Sequence, residues 1–227
     1  MNWTTLHPAT HVTIVRHGEA VYHSERGYAA EACPGLTNRG HAQAECAAAH
    51  LAAQVKPFEV LYASPRRRCI ETAEPIAKAL HLELSVAMDL RSPDHGPGEP
   101  SNTATNLLDT IPPFAPTRMP LPGAETWASY MHRASGFLDA LPDRHPGARV
   151  LIVGHAETQD AAMAAYLGLG GDWRTRAFQY SDHTAISRWR HSRVELPGAY
   201  ERGLWALVAH NDSHHLAGTS LETARPE

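Results

Sequence analysis

The sequence predicts an α/β fold, a three-layer sandwich in which a mostly parallel central sheet lies between helices on both of its faces. Short β-branched runs alternate along the 227 residues with longer segments whose apolar residues recur at helical spacing. Such alternation is typical of strand–helix–strand units built on a parallel sheet. Hydrophobic residues make up 43% of the chain, which is ordinary for a globular protein. No repeat or domain boundary is evident, so we expect a single domain over residues 1–227.

The first predicted strand and helix flank a loop of basic residues. A β-branched run at residues 11–15 predicts a buried strand, which ends abruptly at Arg16-His17-Gly18. The segment 41–55 predicts a helix because it is rich in alanine, the residue with the highest helix propensity. Thr37 or Asn38 can cap that helix by accepting a hydrogen bond from its first turn.

The remaining elements follow from apolar runs and helical spacing. Further strands are predicted at 58–63, 82–88, 149–153, 185–189 and 204–209. Further helices are predicted at 69–80, 124–141 and 158–167. The last two strands are expected near an edge of the sheet.

A long insertion at about residues 93–123 separates the predicted strand at 82–88 from the predicted helix at 124–141. It is rich in proline, glycine and small polar residues, with one short helix predicted at 102–109. Loops of this length inside a compact domain are often lids or binding loops. We therefore expect the insertion to form a cap that determines which substrate is accepted.

Three predicted strands end in basic residues. The first delivers Arg16 and His17, the second is followed by the run 66–68 of three arginines, and the strand at 149–153 is followed by His155. Ligands of open parallel sheets bind beyond the carboxyl ends of the strands, so these groups are expected to converge. Arginine carries forked donors that match phosphate oxygens. The sequence therefore predicts a pocket for a phosphate dianion.

Within the arginine run, an exposed basic turn is the alternative to a place in the pocket. For Arg66 and Arg67 the exposed turn is the better prediction.

Two histidines and several arginines can support phosphoryl transfer. A neutral imidazole can attack phosphorus, while arginines and a second, protonated histidine offset the charge of the remaining oxygens. Water then hydrolyses the phosphohistidine intermediate. The first step also needs an acid that protonates the leaving oxygen.

Four ordered motifs resemble a known family. They are Arg16-His17-Gly18-Glu19, Leu36-Thr37-x-x-Gly40, Ser64-Pro65-x-x-Arg68-x-x-x-Thr72-Ala73 and Val153-Gly154-His155. Together they resemble the histidine phosphatase superfamily, in its phosphoglycerate-mutase-like branch, from about residue 12 to residue 216. The resemblance implies a phosphoglycerate-mutase-like α/β domain with a cap built from loops.

The resemblance also implies a set of functional residues. His17 would be the nucleophile and His155 the second catalytic histidine, with Arg16 and Arg68 joining them as phosphate ligands. His23 and Thr37 would contact the substrate. No metal or other cofactor is implied. The expected enzyme is a phosphoric monoester hydrolase of the histidine acid type, acting on a small phosphorylated metabolite.

The general acid is the main departure from the family pattern. Family members usually carry Leu-x-Glu after the third strand, whereas this chain has Leu90-Arg91-Ser92. Asp94 and Glu99, in the following insertion, are candidates for the acid. Glu157 is a third candidate because another branch of the family places its acid just after the second histidine.

This departure keeps other functions open. One alternative is phosphotransfer of the phosphoglycerate-mutase type. Another is a non-catalytic or regulatory binder of phosphorylated ligands, or an enzyme that cleaves already labile phosphate bonds without an acid.

Composition narrows the partners. A net charge of −4, with histidine neutral, argues against general affinity for nucleic acid or an anionic membrane. Three cysteines without a CxxC pair indicate a reduced, cytoplasmic setting. Of the 16 histidines, the late group at 183, 210, 214 and 215 lacks the ligand spacing of a zinc site. The oligomeric state is left open, with a homodimer among the states considered.

Overall fold

The computed structural model describes residues 8–21, 33–93, 117, 123–170, 179–196 and 200–222. Within these ranges the chain forms six strands: β1 (Thr10–Arg16), β2 (Val60–Ala63), β3 (Leu84–Val86), β4 (Arg149–Gly154), β5 (Ile186–Leu196) and β6 (Tyr200–Asp212). The α-helices are α1 (Asn38–Ala52), α2 (Arg67–Leu80), α3 (Trp127–Asp139), α4 (Leu141–Arg144) and α5 (Ala156–Leu167). Two 3₁₀ turns occupy Met88–Leu90 and His214–Leu216.

The six strands form one sheet in the order β3-β2-β4-β1-β5-β6. The four strands from β3 to β1 are parallel, and β5 and β6 add an antiparallel pair beside β1. Parallel neighbours present their carboxyl ends at the same edge of a sheet, so the loops after β1, β2 and β4 meet there. The predicted fold class, a mostly parallel α/β sheet, is confirmed.

Helices cover both faces of the sheet. Successive residues of a strand point to opposite faces, and Ile14 packs in a core cluster with α3 and α5 while Val15 packs in a second cluster with α1 and α2. Ile152 and Val153 on β4 divide between the two clusters in the same way. Because β1 and β4 are buried on both sides, they carry continuous apolar runs rather than alternation. Those runs made them visible in the sequence.

The late strands are longer than predicted. β5 extends to residue 196 and β6 begins at residue 200, so their hairpin continues beyond β1, which pairs with β5 only as far as His191. Polar residues such as Arg190 and Arg193 interrupt the apolar pattern in this arm, so the sequence predicts only its apolar parts, 185–189 and 204–209. β6 lies at the edge of the sheet, whereas β5 lies one strand inside it.

The predicted helix at 124–141 is two helices. α3 ends at Asp139, and the short α4 begins at Leu141 with a proline, Pro142, in its first turn. Proline suits the first turn of a helix because its missing N–H has no intrahelical partner there.

None of the described helices has the length and apolarity needed to cross a membrane. Most of the 93–123 insertion, including the predicted helix at 102–109, lies outside the described residues.

Two glycines allow the loop after β1 to lie directly against the start of α1. A Cβ atom on Gly40 would lie 2.0 Å from the carbonyl oxygen of Glu19, and one on Gly18 would lie 2.6 Å from the carbonyl oxygen of Gly40. Both neighbours are backbone atoms, which cannot rotate away as a side chain could. The close contact explains why these two positions, 22 residues apart, are both glycine.

We expect Gly40→Ala to destabilise the protein by about 1–3 kcal/mol, the usual cost of overpacking a tight contact. The matched control is Gly136→Ala in α3, where an added Cβ meets nothing within 4 Å. Alanine there should be neutral or stabilising by up to about 1 kcal/mol because it favours the helix. Urea unfolding followed by circular dichroism measures both changes. Equal stability of the two variants would contradict the close contact.

Candidate active site

Two buried imidazoles lie side by side at the carboxyl edge of the parallel strands. His17 follows β1 and His155 follows β4, and their ring centroids are 5.3 Å apart in an edge-on arrangement. The side chains are 2% and 0% exposed. The backbone N–H of His17 donates to the carbonyl of Gly154 at 2.9 Å, which extends the β1–β4 pairing into the site. The sheet therefore brings together the two histidines that the sequence singled out.

The His17 ring is held in a defined tautomer. Its Nδ1 atom lies 2.7 Å from the carbonyl oxygen of Gly18. A carbonyl can only accept, so Nδ1 carries a proton, and in the neutral imidazole the lone pair is therefore on Nε2. The Gly18 N–H in turn donates to Thr72 Oγ1 at 3.0 Å, and that hydroxyl donates to the Arg68 carbonyl at 2.7 Å. The loop that presents His17 is therefore fixed to the start of α2.

The His155 ring is oriented by a donor on one side and an acceptor on the other. Arg68 Nη2 donates to Nδ1 at 3.1 Å, because a guanidinium has no acceptor. The proton is therefore on Nε2, which lies 2.8 Å from Ser64 Oγ and donates to it. Ser64 follows β2, so two adjacent strands, β2 and β4, and helix α2 contribute to this one contact network.

Burial and positive charge keep His155 neutral. Burial lowers its pKa well below 6.5, and the charges of Arg68, Arg66, Arg16 and Arg133 lower it further. The charges that the protein itself supplies therefore oppose the protonated second histidine expected from the sequence.

The arginine run places two side chains in the site and one outside it. Arg66 and Arg68 are 8% and 5% exposed, and both donate to Ser92 Oγ, at 3.1 and 3.2 Å. Arg67 is exposed and forms an ion pair with Glu71 at 2.6 Å. The expected exposed turn is therefore confirmed for Arg67 and wrong for Arg66. Arg66 precedes α2 in an extended conformation, and this turns its side chain inward.

Ser92 is the residue that stands where the family usually has glutamate. It is 4% exposed and accepts hydrogen bonds from two guanidinium groups. Its position is supported by Arg133 of α3, whose Nη1 donates to the carbonyls of Asp89 and Arg91 at 2.7 and 2.8 Å. Arg133 is itself held by Glu125 through contacts of 2.6 and 2.7 Å. A neutral hydroxyl therefore lies among buried cations, where the resemblance predicts a carboxylate.

Arg16 and a third histidine complete the described part of the site. The half-buried Arg16 donates through Nη1 to the carbonyl of Ser181. Two residues later, the His183 ring lies with its centroid 6.0 Å from that of His17. Sequence reasoning considered His183 only as a metal ligand. Its place beside His17 depends on the return of the chain from α5 to β5, which no local pattern indicates.

Thr37 has a structural position next to the loop of His17. Its hydroxyl caps α1 by accepting from the Gly40 N–H at 2.9 Å and also donates to a Glu19 carboxylate oxygen at 2.9 Å. The predicted N-cap is confirmed. Contact between Thr37 and substrate stays a prediction.

Of the three candidate acids, the structure describes only Glu157. Asp94 and Glu99 lie outside the described residues, as does His23, which was predicted to contact the substrate. Glu157 lies in the first turn of α5, two residues after His155. Burial raises the pKa of the nearby Cys69 thiol to about 12, and the charge of Glu157 adds to this rise. Glu157 is therefore close enough to influence the site electrostatically.

The described residues contain no group of three or more histidine, cysteine or acidic side chains that could hold a metal ion. The three cysteines are free thiols.

A family model agrees with this arrangement. The model of the histidine phosphatase superfamily, branch 1, matches residues 12–212. The chain belongs to the histidine phosphatase superfamily. The resemblance carried by the four sequence motifs is thereby confirmed, and the match spans all six strands of the sheet except the first two residues of β1.

Relatives within the superfamily are distant. The chain is 29% identical over 162 residues to phosphoserine phosphatase 1 of Hydrogenobacter thermophilus, covering 69% of this chain and 75% of that protein. It is 29% identical over 151 residues to the bifunctional protein Rv2228c of Mycobacterium tuberculosis, covering 64% of this chain but only 41% of that longer protein. The structure of mycobacterial glucosyl-3-phosphoglycerate phosphatase Rv2419c superposes with a TM-score of 0.71 at 21% identity, over 89% of this chain and 99% of that one. This last likeness shows the shared fold.

We expect Ser64→Ala to lower the free energy of unfolding by about 1–3 kcal/mol, because the buried His155 Nε2–H loses its acceptor. Ser85→Ala, at an exposed serine on β3, is the control and should change stability by less than about 0.5 kcal/mol. Chemical denaturation at pH 7.5 measures both. A Ser64→Ala variant as stable as the control would argue against the assigned tautomer of His155.

The lowered pKa of His215 predicts that the free energy of unfolding depends on pH. Burial, with a further contribution from His50, lowers the pKa of His215 to about 4, against 6.5 in the unfolded chain. Between these values the unfolded state binds more protons on this ring, so the free energy of unfolding falls as the pH decreases from 6.5 to about 4. His215→Gln should flatten this dependence. Urea unfolding of wild type and His215→Gln across this pH range measures the effect. Identical pH profiles of these two proteins would contradict the lowered pKa of His215.

Proposed function

We propose that this protein is a phosphoric monoester hydrolase of the histidine acid type that acts on a small phosphorylated metabolite through phospho-His17. The observation that supports this most strongly is the fixed His17 tautomer, with its lone pair on Nε2, beside the buried pair of His155 and Arg68. A nucleophilic nitrogen next to guanidinium donors is the arrangement that phosphoryl transfer requires.

In the first step, His17 Nε2 attacks phosphorus and the P–O bond to the substrate breaks. Arg16 and Arg68 donate to the phosphoryl oxygens and offset their charge as the P–N bond forms. Both residues keep their protons at any relevant pH, so this charge is always available.

Substrate binding changes the charge balance at His155. Burial lowers its pKa and the arginines lower it further, and a phosphate dianion placed among the arginines opposes their contribution. Binding of the dianion therefore favours a proton on His155 at the moment when a further donor to the phosphoryl oxygens is useful. In the second step, water attacks phospho-His17 and releases inorganic phosphate.

Contacts with the rest of the substrate are assigned to the insertion at 93–123 and to His23 and Thr37. Asp94, Glu99 and Glu157 are the carboxylates considered as the acid for the leaving oxygen. A relative named phosphoserine phosphatase supports a small phosphorylated metabolite as the substrate class. Free cysteines support a reducing, cytoplasmic setting.

His17→Ala should reduce hydrolysis of p-nitrophenyl phosphate by at least about 10⁴-fold, because a residue that forms the covalent intermediate cannot be bypassed. The control is His132→Ala, at an exposed histidine on α3, which should retain full activity. Unfolding curves should show that both variants are folded. A His17→Ala protein with activity near that of wild type would refute the proposed nucleophile.

A panel of phosphorylated metabolites, with wild-type protein, separates hydrolysis from the alternatives. Release of inorganic phosphate from phosphorylated metabolites supports a phosphatase, whereas conserved organic phosphate with a shifted position indicates a mutase. Tight vanadate binding without turnover of any substrate would indicate a non-catalytic binder.

A further inference from the structure

The His183 ring stands beside the nucleophile, on a part of the chain that the catalytic motifs do not include. Phosphorus in a near-attack arrangement lies about 3–3.5 Å from the attacking nitrogen, so the oxygens around it lie roughly 5–6 Å from the centre of the His17 ring. The centre of the His183 ring is 6.0 Å from that of His17. The separation of the two rings is thus comparable with the distance between the His17 ring and the oxygens of a bound phosphoryl group.

The backbone that carries His183 is held from several directions. The Thr184 N–H donates to the His17 carbonyl at 3.4 Å, and the Asp182 N–H donates to Asn211 Oδ1 at 2.7 Å. Thr184 has a φ of +56°, a conformation that a β-branched residue rarely adopts. The surrounding contacts must stabilise it, and such strain is found mainly where a side chain has to be placed accurately.

The Thr184 side chain adds a further constraint. Its hydroxyl donates to the His183 carbonyl at 2.7 Å and therefore accepts from His215 Nε2–H at 3.0 Å. The position of His183 is thus tied both to the loop of His17 and to the turn at His214–Leu216.

His183 also differs from His155 and Cys69 in its exposure, which it shares with Glu157. His155 is fully buried, while His183 is half-buried as a residue, with its Nε2 atom buried. The leaving group must depart toward solvent, so its proton donor belongs on the open side. The arginines do not give up a proton. Cys69, with a pKa raised to about 12 by burial, is buried as well and is a poor acid.

We propose that His183 is the proton donor to the leaving oxygen, in place of the glutamate that Ser92 replaces. This inference rests on the proposed phosphatase function and specifies its acid. As the P–N bond to His17 forms and the P–O bond breaks, the electron pair passes to the leaving oxygen. The His183 imidazolium transfers its N–H proton to that oxygen, which leaves as the alcohol. Neutral His183 then takes a proton from the water that attacks phospho-His17, which restores the imidazolium.

The test is the dependence of kcat/KM on the acidity of the leaving group, because kcat/KM reports the phosphorylation step. In His183→Asn, kcat/KM should fall by about 10²–10⁴-fold for alkyl phosphates, the usual contribution of a general acid. It should fall by less than about threefold for p-nitrophenyl phosphate, whose leaving group needs little protonation. His132→Asn, at an exposed histidine, is the matched control and should leave kcat/KM for both substrates unchanged.

Three results would overturn the inference. An equal loss for both classes of substrate would show that His183 binds phosphate or supports the fold, and no loss for either would remove it from the reaction. A selective loss of alkyl phosphate activity in Asp94→Asn, Glu99→Gln or Glu157→Gln, but not in His183→Asn, would assign the acid to a carboxylate. Failure of the proposed function looks different, because His17→Ala would then keep its activity or the wild-type protein would cleave no phosphate ester.

Discussion

The structure depends on one electrostatic constraint, the burial of Arg66 and Arg68 next to the imidazoles of His17 and His155 at the carboxyl edge of a parallel sheet. A guanidinium removed from water loses much of its hydration, so an anion that enters the site meets charges that are already desolvated. Burial lowers the pKa of His155, and the same charges lower it further, so the ring stays neutral and accepts a hydrogen bond from Arg68. Phosphate affinity and the protonation of the second histidine are therefore coupled, since the anion that the arginines attract also offsets their effect on His155.

The fold meets this constraint through short connections between rigid elements. His17, Ser64 and His155 each follow directly after one of three adjacent parallel strands, so their relative positions are set by the register of the sheet rather than by long loops. Thr72 on α2 and the close contact of Gly18 with Gly40 fix the loop of His17 from the side. A nucleophile placed in this way needs little reorganisation at the moment of reaction.

Much of this could be predicted from the sequence because the signals are local. Each signal is formed by residues only a few positions apart. This holds for the apolar runs of β1 and β4, for the cap at Thr37 and for the basic residues at strand ends. The inward turn of Arg66 could not be predicted, because a run of three arginines looks the same whether it is exposed or buried. Ser92 was recognised only as a missing glutamate, since its two arginine partners are 24 and 26 residues away. His183 reaches His17 only through tertiary packing between segments 166 residues apart in the chain.

Direct detection of the covalent intermediate tests the central claim most closely. Wild-type protein mixed with a ³²P-labelled phosphate ester can be quenched with alkali within milliseconds, digested and mapped by mass spectrometry. Phosphohistidine is stable to base and labile to acid, so the label should be on the peptide that contains His17 and should be lost on acidification. Label on another residue, or release of inorganic phosphate with no labelled peptide at any time, would contradict nucleophilic attack by His17.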